Sequence, residues 1–144
     1  MTDKTKELSA SICLINDHLH FIGNSGTNDS ISIDYLPPLG DNLGYTSLEL
    51  LLLSLSSCIG SSVLTFLRKM KKTINGFEII SKGVRREEHP TCFKVIYLTI
   101  NIKSADITAA DLDKVIKLSE ETYCPVWAML KGNVEVIPNY NISV

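Results

Sequence analysis

The sequence predicts an α+β fold in one domain, residues 1–144, and three observations predict it. Leu48 to Leu67 holds a single charged residue, Glu49, over about five turns of potential helix. Ile96, Leu98, Ile100 and Ile102 alternate with period two, the mark of a strand with one buried face. Leu112, Val115, Ile116 and Ser119 return at helical spacing, so a second helix follows the strands. At 44% apolar and 21% charged, the composition is that of an ordinary packed protein.

Three strands come first. Leu8, Ala10, Ile12 and Leu14 alternate, then Leu19 and Phe21, then Ile31, Ile33 and Tyr35, with turn residues at Asn16-Asp17 and from Asn24 to Asp29. A Pro- and Gly-bearing connector, Leu36 to Gly44, leads into the long helix, expected from Ser47 to Lys72. Thr46 and Glu49 have the spacing of a capping box, while Arg68, Lys69, Lys71 and Lys72 suit the negative end of the helix dipole. Asn75-Gly76 is the expected stop. A hairpin follows, Phe77 to Glu87 and Phe93 to Lys103, turning at Glu88-His89-Pro90-Thr91. The second helix starts after Thr108 and breaks at Cys124-Pro125, because proline has no N–H to donate. A short helical turn to Lys131, then Gly132, and a last strand near Val134 to Ile137 complete the fold.

Several functions are disfavoured by composition. A net charge of −2 leaves no electrostatic footprint for nucleic acid, and Lys69, Lys71 and Lys72 are too few for a basic groove. The first residues lead only to a short apolar run ending at Ile15, which does not make a secretory leader. Cys13, Cys58, Cys92 and Cys124 therefore read as cytoplasmic thiols, not structural disulfides, and no pair has C-x-x-C spacing. His18 and His20 form an H-x-H pair without a third ligand at metal-site spacing, so a solvated strand pair is expected and no metal or cofactor.

The apolar helix invites a membrane span, but Ser54, Ser56, Ser57, Ser61, Ser62 and Thr65 interrupt it, and the flanking strands would lose their core. A helix buried on nearly every side fits better. In so small a chain that requires a second subunit, so a homodimer is expected.

Ser47, Ser54, Cys58, Ser61, Ser62 and Thr65 fall along one stripe of the helix. Cys58 is then either a small packing residue or a nucleophile. The second role needs another thiol, a charge that holds the thiolate, and access. Cys124, at the helix break, is the candidate thiol, although spacing alone does not bring positions 58 and 124 together. Cys13 and Cys92 are expected to pack as buried strand cysteines.

The segment Ser47-Leu-Glu-Leu-Leu-Leu-Leu-Ser-Leu-Ser-Ser-Cys58 resembles the core helix of the OsmC/Ohr family, in which a run of small residues precedes the reactive cysteine. Glu120-Glu-Thr-Tyr-Cys-Pro-Val126 is similar to that family's second-cysteine motif, and Arg85-Arg-Glu-Glu-His-Pro90 follows in the same order between two strands. The likeness runs from about residue 18 to residue 142. It implies an intertwined homodimer with active sites near the subunit interface, Cys58 as the peroxidatic cysteine and Cys124 as the resolving one. In the enzymatic reading the partners are a dithiol reductant and a small organic hydroperoxide, preferred to hydrogen peroxide because the helix is apolar, and neither nucleic acid nor membrane is expected.

The chain departs from the better-known branches, which hold the thiolate with an N-terminal arginine and a helix glutamate. No arginine precedes Arg68, and Glu49 lies nine residues before Cys58, about 180° around the helix instead of beside it. Glu49 is either a catalytic group or simply a cap. Arg85 or Arg86 either replaces the missing cation or pairs with Glu87 or Glu88 at the surface. Two functions stay open: a thiol hydroperoxide reductase, and a non-catalytic dimer of the same fold that binds a small hydrophobic ligand.

Overall fold

The computed structural model describes residues 6–144; residues 1–5, part of the stretch read against a secretory leader, lie outside it. The chain forms two units, one ending at Leu51 and the other spanning Leu52–Val144.

In the first unit, β1 (Ser11–Leu14), β2 (Phe21–Asn24) and β3 (Ile31–Ile33) form an antiparallel meander in the order β1-β2-β3. Strands this short do not hold the following loop, and Asp34 does so instead. Its fully buried carboxylate accepts from the backbone N–H groups of Tyr35, Asp41 and Leu43, drawing residues 35–43 around itself. Burial alone would raise its pKa, but the three donors outweigh it and hold the carboxyl below its ordinary value. Ile33 then bridges Tyr45, and the Tyr35 hydroxyl meets Ser47 Oγ at 2.7 Å where the helix begins.

Helix α1 (Ser47–Lys69) starts as the capping box predicts. Glu49 Oε1 accepts from the Thr46 N–H at 2.9 Å, and Thr46 Oγ1 accepts from the Glu49 N–H at 3.3 Å. It ends earlier than Asn75-Gly76. Lys71, at φ 59°, closes it with paired bonds from Lys71 N–H to Arg68 O and from Lys72 N–H to Leu67 O. A lysine occupies the left-handed position usually taken by glycine, so no glycine marks the stop in the sequence.

The second unit is a three-stranded sheet ordered β4-β5-β6. β4 (Gly76–Arg85) and β5 (Phe93–Lys103) form the predicted hairpin, and Ile96, Leu98, Ile100 and Ile102 of β5 are all buried. Residues Leu55, Ile59, Val63 and Leu67 of α1 are fully buried at four-residue spacing, each burial worth roughly 2 kcal/mol. Gly60 lets the helix come close to the sheet, since a Cβ there would sit 3.2 Å from the Phe77 ring and 3.3 Å from Ile79.

After β5 come α2 (Ala109–Leu118), a π-helical turn (Ser119–Tyr123) and α3 (Pro125–Leu130). Thr108 and Asp111 cap α2 reciprocally. This crossover allows β6 (Glu135–Ser143) to lie parallel to β5. β6 runs six residues past its expected end at Ile137. Pro138 and Asn139 hide the extension in the sequence, yet an edge strand tolerates a proline whose missing N–H faces away from the ladder.

The expectation of a helix covered on nearly every side is not met within one chain. α1 is long and apolar enough to cross a membrane by length and composition, and its buried stripe serves instead as a core helix. Leu53, Ser54, Ser57 and Ser61 are exposed. The hydroxyls of Ser57, Ser61 and Thr65 are satisfied by helix carbonyls three or four residues back, which lets polar side chains line this face.

Candidate active site

Cys58 and Cys124, 66 residues apart in sequence, face each other with 2.9 Å between sulfurs, both as free thiols. α1 carries Cys58, which is half-buried in its fourth turn. Cys124 is only 2% exposed and is the hinge residue between the π-helical turn and α3. Its extended backbone results from Pro125, which starts α3 and disfavours a helical conformation in the residue before it. The N–H of Cys124 donates to the Ser119 carbonyl at 2.9 Å, closing the π-helical turn.

The Cys124 thiol is held in its neutral form. Burial, first, and hydrogen bonding to Cys58, second, push the Cys124 thiol up to about 12, against the opposing pull of the Trp127 N–H on its sulfur. Cys124 therefore keeps its proton across the physiological range and donates it to the Cys58 sulfur. A disulfide separates its sulfurs by about 2.05 Å, so the bond would close with a shift of under about 1 Å.

The other candidate residues are Glu49, Arg85 and Arg86. The Glu49 carboxylate is held below its ordinary value by the backbone N–H of Thr46 and then by the Thr46 hydroxyl, as a cap requires. Arg85 and Arg86 are both exposed at the hairpin end. The Arg85 guanidinium donates to the Thr91 carbonyl at 2.6 Å and to the Thr91 hydroxyl, bracing the turn. Among the described residues, Arg86 makes no side-chain hydrogen bond, and no arginine bonds either sulfur.

Cys13 is exposed on β1 and Cys92 is half-buried, so neither is the buried packing residue expected of it within one chain. β1 is an edge strand of a thin sheet and presents both its faces. His18 and His20 sit in the turn between β1 and β2, not on a strand. His18 Nδ1 pairs with Asp41 at 2.9 Å, while His20 meets the Ser32 hydroxyl. No group of three or more His, Cys, Asp or Glu side chains able to hold a metal forms among the described residues.

A separate open cleft of about 250 Å³ is bordered by α2, Trp127, Pro138 and Tyr140. Asp113, Lys117 and Glu120 line it, the Tyr140 hydroxyl donates to Asp113 at 2.7 Å, and neither Cys58 nor Cys124 reaches it. Sequence reasoning missed the Trp127 N–H and the π-helical turn beside Cys124. Ser119, a serine that continues the buried series of α2 into the π-helical turn, is the available signal of something other than plain packing.

Several known proteins resemble this chain. A profile described as OsmC-like protein matches residues 40–139. Protein YhfA of Escherichia coli (strain K12) is 28% identical over 124 residues, 86% of this chain and 90% of YhfA. A hypothetical protein from Aquifex aeolicus VF5 superposes with a TM-score of 0.83 and 26% identity, over 96% of this chain and 97% of its own. An organic hydroperoxide resistance protein from Elizabethkingia anophelis shares the fold, with a TM-score of 0.75, 16% identity and coverage of 98% and 99%. The profile takes in most of the chain, including the helix-borne Cys58 and the Cys124-Pro125 step, and the chain belongs to the OsmC-like protein family.

Proposed function

We propose that this protein is a thiol-dependent hydroperoxide reductase in which Cys58 is oxidised and Cys124 resolves it. The observation that carries the proposal is the 2.9 Å thiol pair, with the proton held on the buried member. The Cys58 thiolate attacks the outer peroxide oxygen, the O–O bond breaks, and the alkoxide leaves to take a proton as the alcohol. Cys58 is then a sulfenic acid. Cys124 attacks that sulfur, its proton leaves with the departing hydroxide as water, and a disulfide remains. A cytoplasmic dithiol reductant returns both thiols.

The substrate in this reading is a small organic hydroperoxide, in keeping with the apolar composition of α1. Support also comes from the fold shared with a protein named for organic hydroperoxide resistance. The protein acts as a homodimer, which covers the face of α1 left exposed in a single chain. Of the two arginines proposed to supply the charge for the Cys58 thiolate, Arg85 is engaged by Thr91, which favours Arg86 for the role.

The test is one equivalent of an organic hydroperoxide followed by intact-mass and peptide analysis. A Cys58–Cys124 disulfide is expected, with Cys13 and Cys92 still reduced. Cys124→Ser leaves Cys58 as sulfenic or sulfinic acid, Cys58→Ser abolishes peroxide consumption, and Arg86→Ala slows alkylation of Cys58 at neutral pH. Four thiols that survive excess peroxide in the folded, reduced wild type overturn the proposal and favour the ligand-binding dimer.

A further inference from the structure

Ser62 and Ser119 are fully buried, and their hydroxyl oxygens lie 2.8 Å apart. Ser119 Oγ is also 2.8 Å from the Val115 carbonyl. A hydroxyl has one proton to give. The Ser119 hydroxyl donates it to Ser62 Oγ and to the Val115 carbonyl of α2, which share it. Ser119 thereby ties Ser62 of α1 to the backbone of α2. Thiol chemistry makes no use of either serine directly.

Their position gives them a role. Residues 58, 62 and 66 follow at four-residue spacing along one side of α1. Each meets the segment that delivers Cys124: Cys58 meets Cys124, Ser62 meets Ser119, and the Phe66 ring meets Tyr123 with 4.8 Å between centroids. Ser119 opens the π-helical turn, and its carbonyl holds the Cys124 N–H. One residue therefore binds α1 through its side chain and Cys124 through its backbone. The i→i+5 bond is rare because ordinary helix bonding competes with it. Shifting the turn by one residue would swing Cys124 by about 100° around the helix axis.

We propose that the buried Ser62–Ser119 hydroxyl pair positions Cys124 against Cys58 by holding the π-helical turn in register on α1. Both serines are positioning residues, and the role rests on the proposed pairing of these two thiols. It sets the effective concentration of one thiol at the other, and hence the stability of their disulfide, whichever oxidant forms it.

The experiment equilibrates the whole protein in graded mixtures of reduced and oxidised glutathione, traps it with an alkylating agent and reads the disulfide fraction by mass. Ser62→Ala and Ser119→Ala each lower the disulfide equilibrium constant by about tenfold, equivalent to about 30 mV for this two-electron couple. Ser119→Ala also leaves the buried Ser62 hydroxyl without its partner, whereas Ser62→Ala leaves Ser119 bonded to Val115, so Ser119→Ala lowers the melting temperature more. The double Ser62→Ala/Ser119→Ala variant removes both polar groups. It regains melting temperature relative to Ser119→Ala, while its disulfide constant stays low.

Unchanged constants in the single variants overturn the proposal. So does a double variant in which the constant recovers together with stability, because that is the behaviour of packing alone. No peroxide is used, so the two proposals fail separately. A chain inert to peroxide that still shows the serine effect loses only its enzymatic role. A chain that turns over peroxide with unchanged constants in the serine variants loses only the positioning role.

Discussion

Cys124 is protonated because water is kept from it, and that makes its contribution to stability depend on pH. Its thiol stands at about 12 in the folded chain, against an ordinary value of 9.0. A raised value means that between these limits the folded state binds more protons than the unfolded one. Stability is therefore fully present below about pH 9 and falls as pH rises toward 12. Cys124→Ala should flatten this alkaline limb in denaturant melts of the reduced protein recorded from pH 8 to 11. An unaltered alkaline limb would show that the thiol is solvated. The same burial leaves half-buried Cys58 as the sulfur open to reagents, so alkylation at neutral pH should label Cys58 well ahead of Cys124.

At the level of elements, α1 presents Cys58 from a stiff rod whose start is defined by Thr46 and Glu49. Both partners of this cap are engaged with each other, nine to twelve residues before Cys58 in the sequence. Thr46→Ala should cost about 1 kcal/mol of stability, the usual worth of an N-cap. It should leave the alkylation rate of Cys58 unchanged when measured well below the melting temperature. A drop in that rate comparable to the one expected for Arg86→Ala would give Glu49 and its cap a part in the thiol chemistry. The opposite end of α1 is closed by the left-handed Lys71, and Gly60 allows close approach to the Phe77 and Ile79 side chains of β4. Both features fix where the rod lies against the second unit's sheet.

Over the whole molecule, apolar surface is left uncovered in each unit. Leu36, Leu39 and Leu43 are more than half exposed in the first unit, as are Leu53, Ile80 and Met129 in the second. A net charge of only −2 offers little repulsion between copies. A dimer that persists on dilution is the expected outcome in light scattering across the micromolar range. A folded monomer there would remove the dimer.

Local pattern was enough to specify much of this protein. The period-two run from Ile96 to Ile102, the capping box at Thr46, the hairpin and the break at Cys124-Pro125 each depend on residues a few positions apart. Steric preference and backbone hydrogen bonding act at that range. The resemblance carried by the Cys58 and Cys124 motifs likewise led to the family in which the chain belongs. What the tertiary structure decided were matters between distant segments. The closure of α1 at Lys71 depends on a turn with no glycine to announce it, and β6 persists through Pro138 because β5 supplies a parallel partner along its length. Arg85 is drawn to Thr91 by a turn geometry that its spacing from Thr91 does not specify. The approach of Cys124 to Cys58 depends on a π-helical turn whose register no local periodicity encodes, because only packing against α1 distinguishes it from an ordinary helical turn.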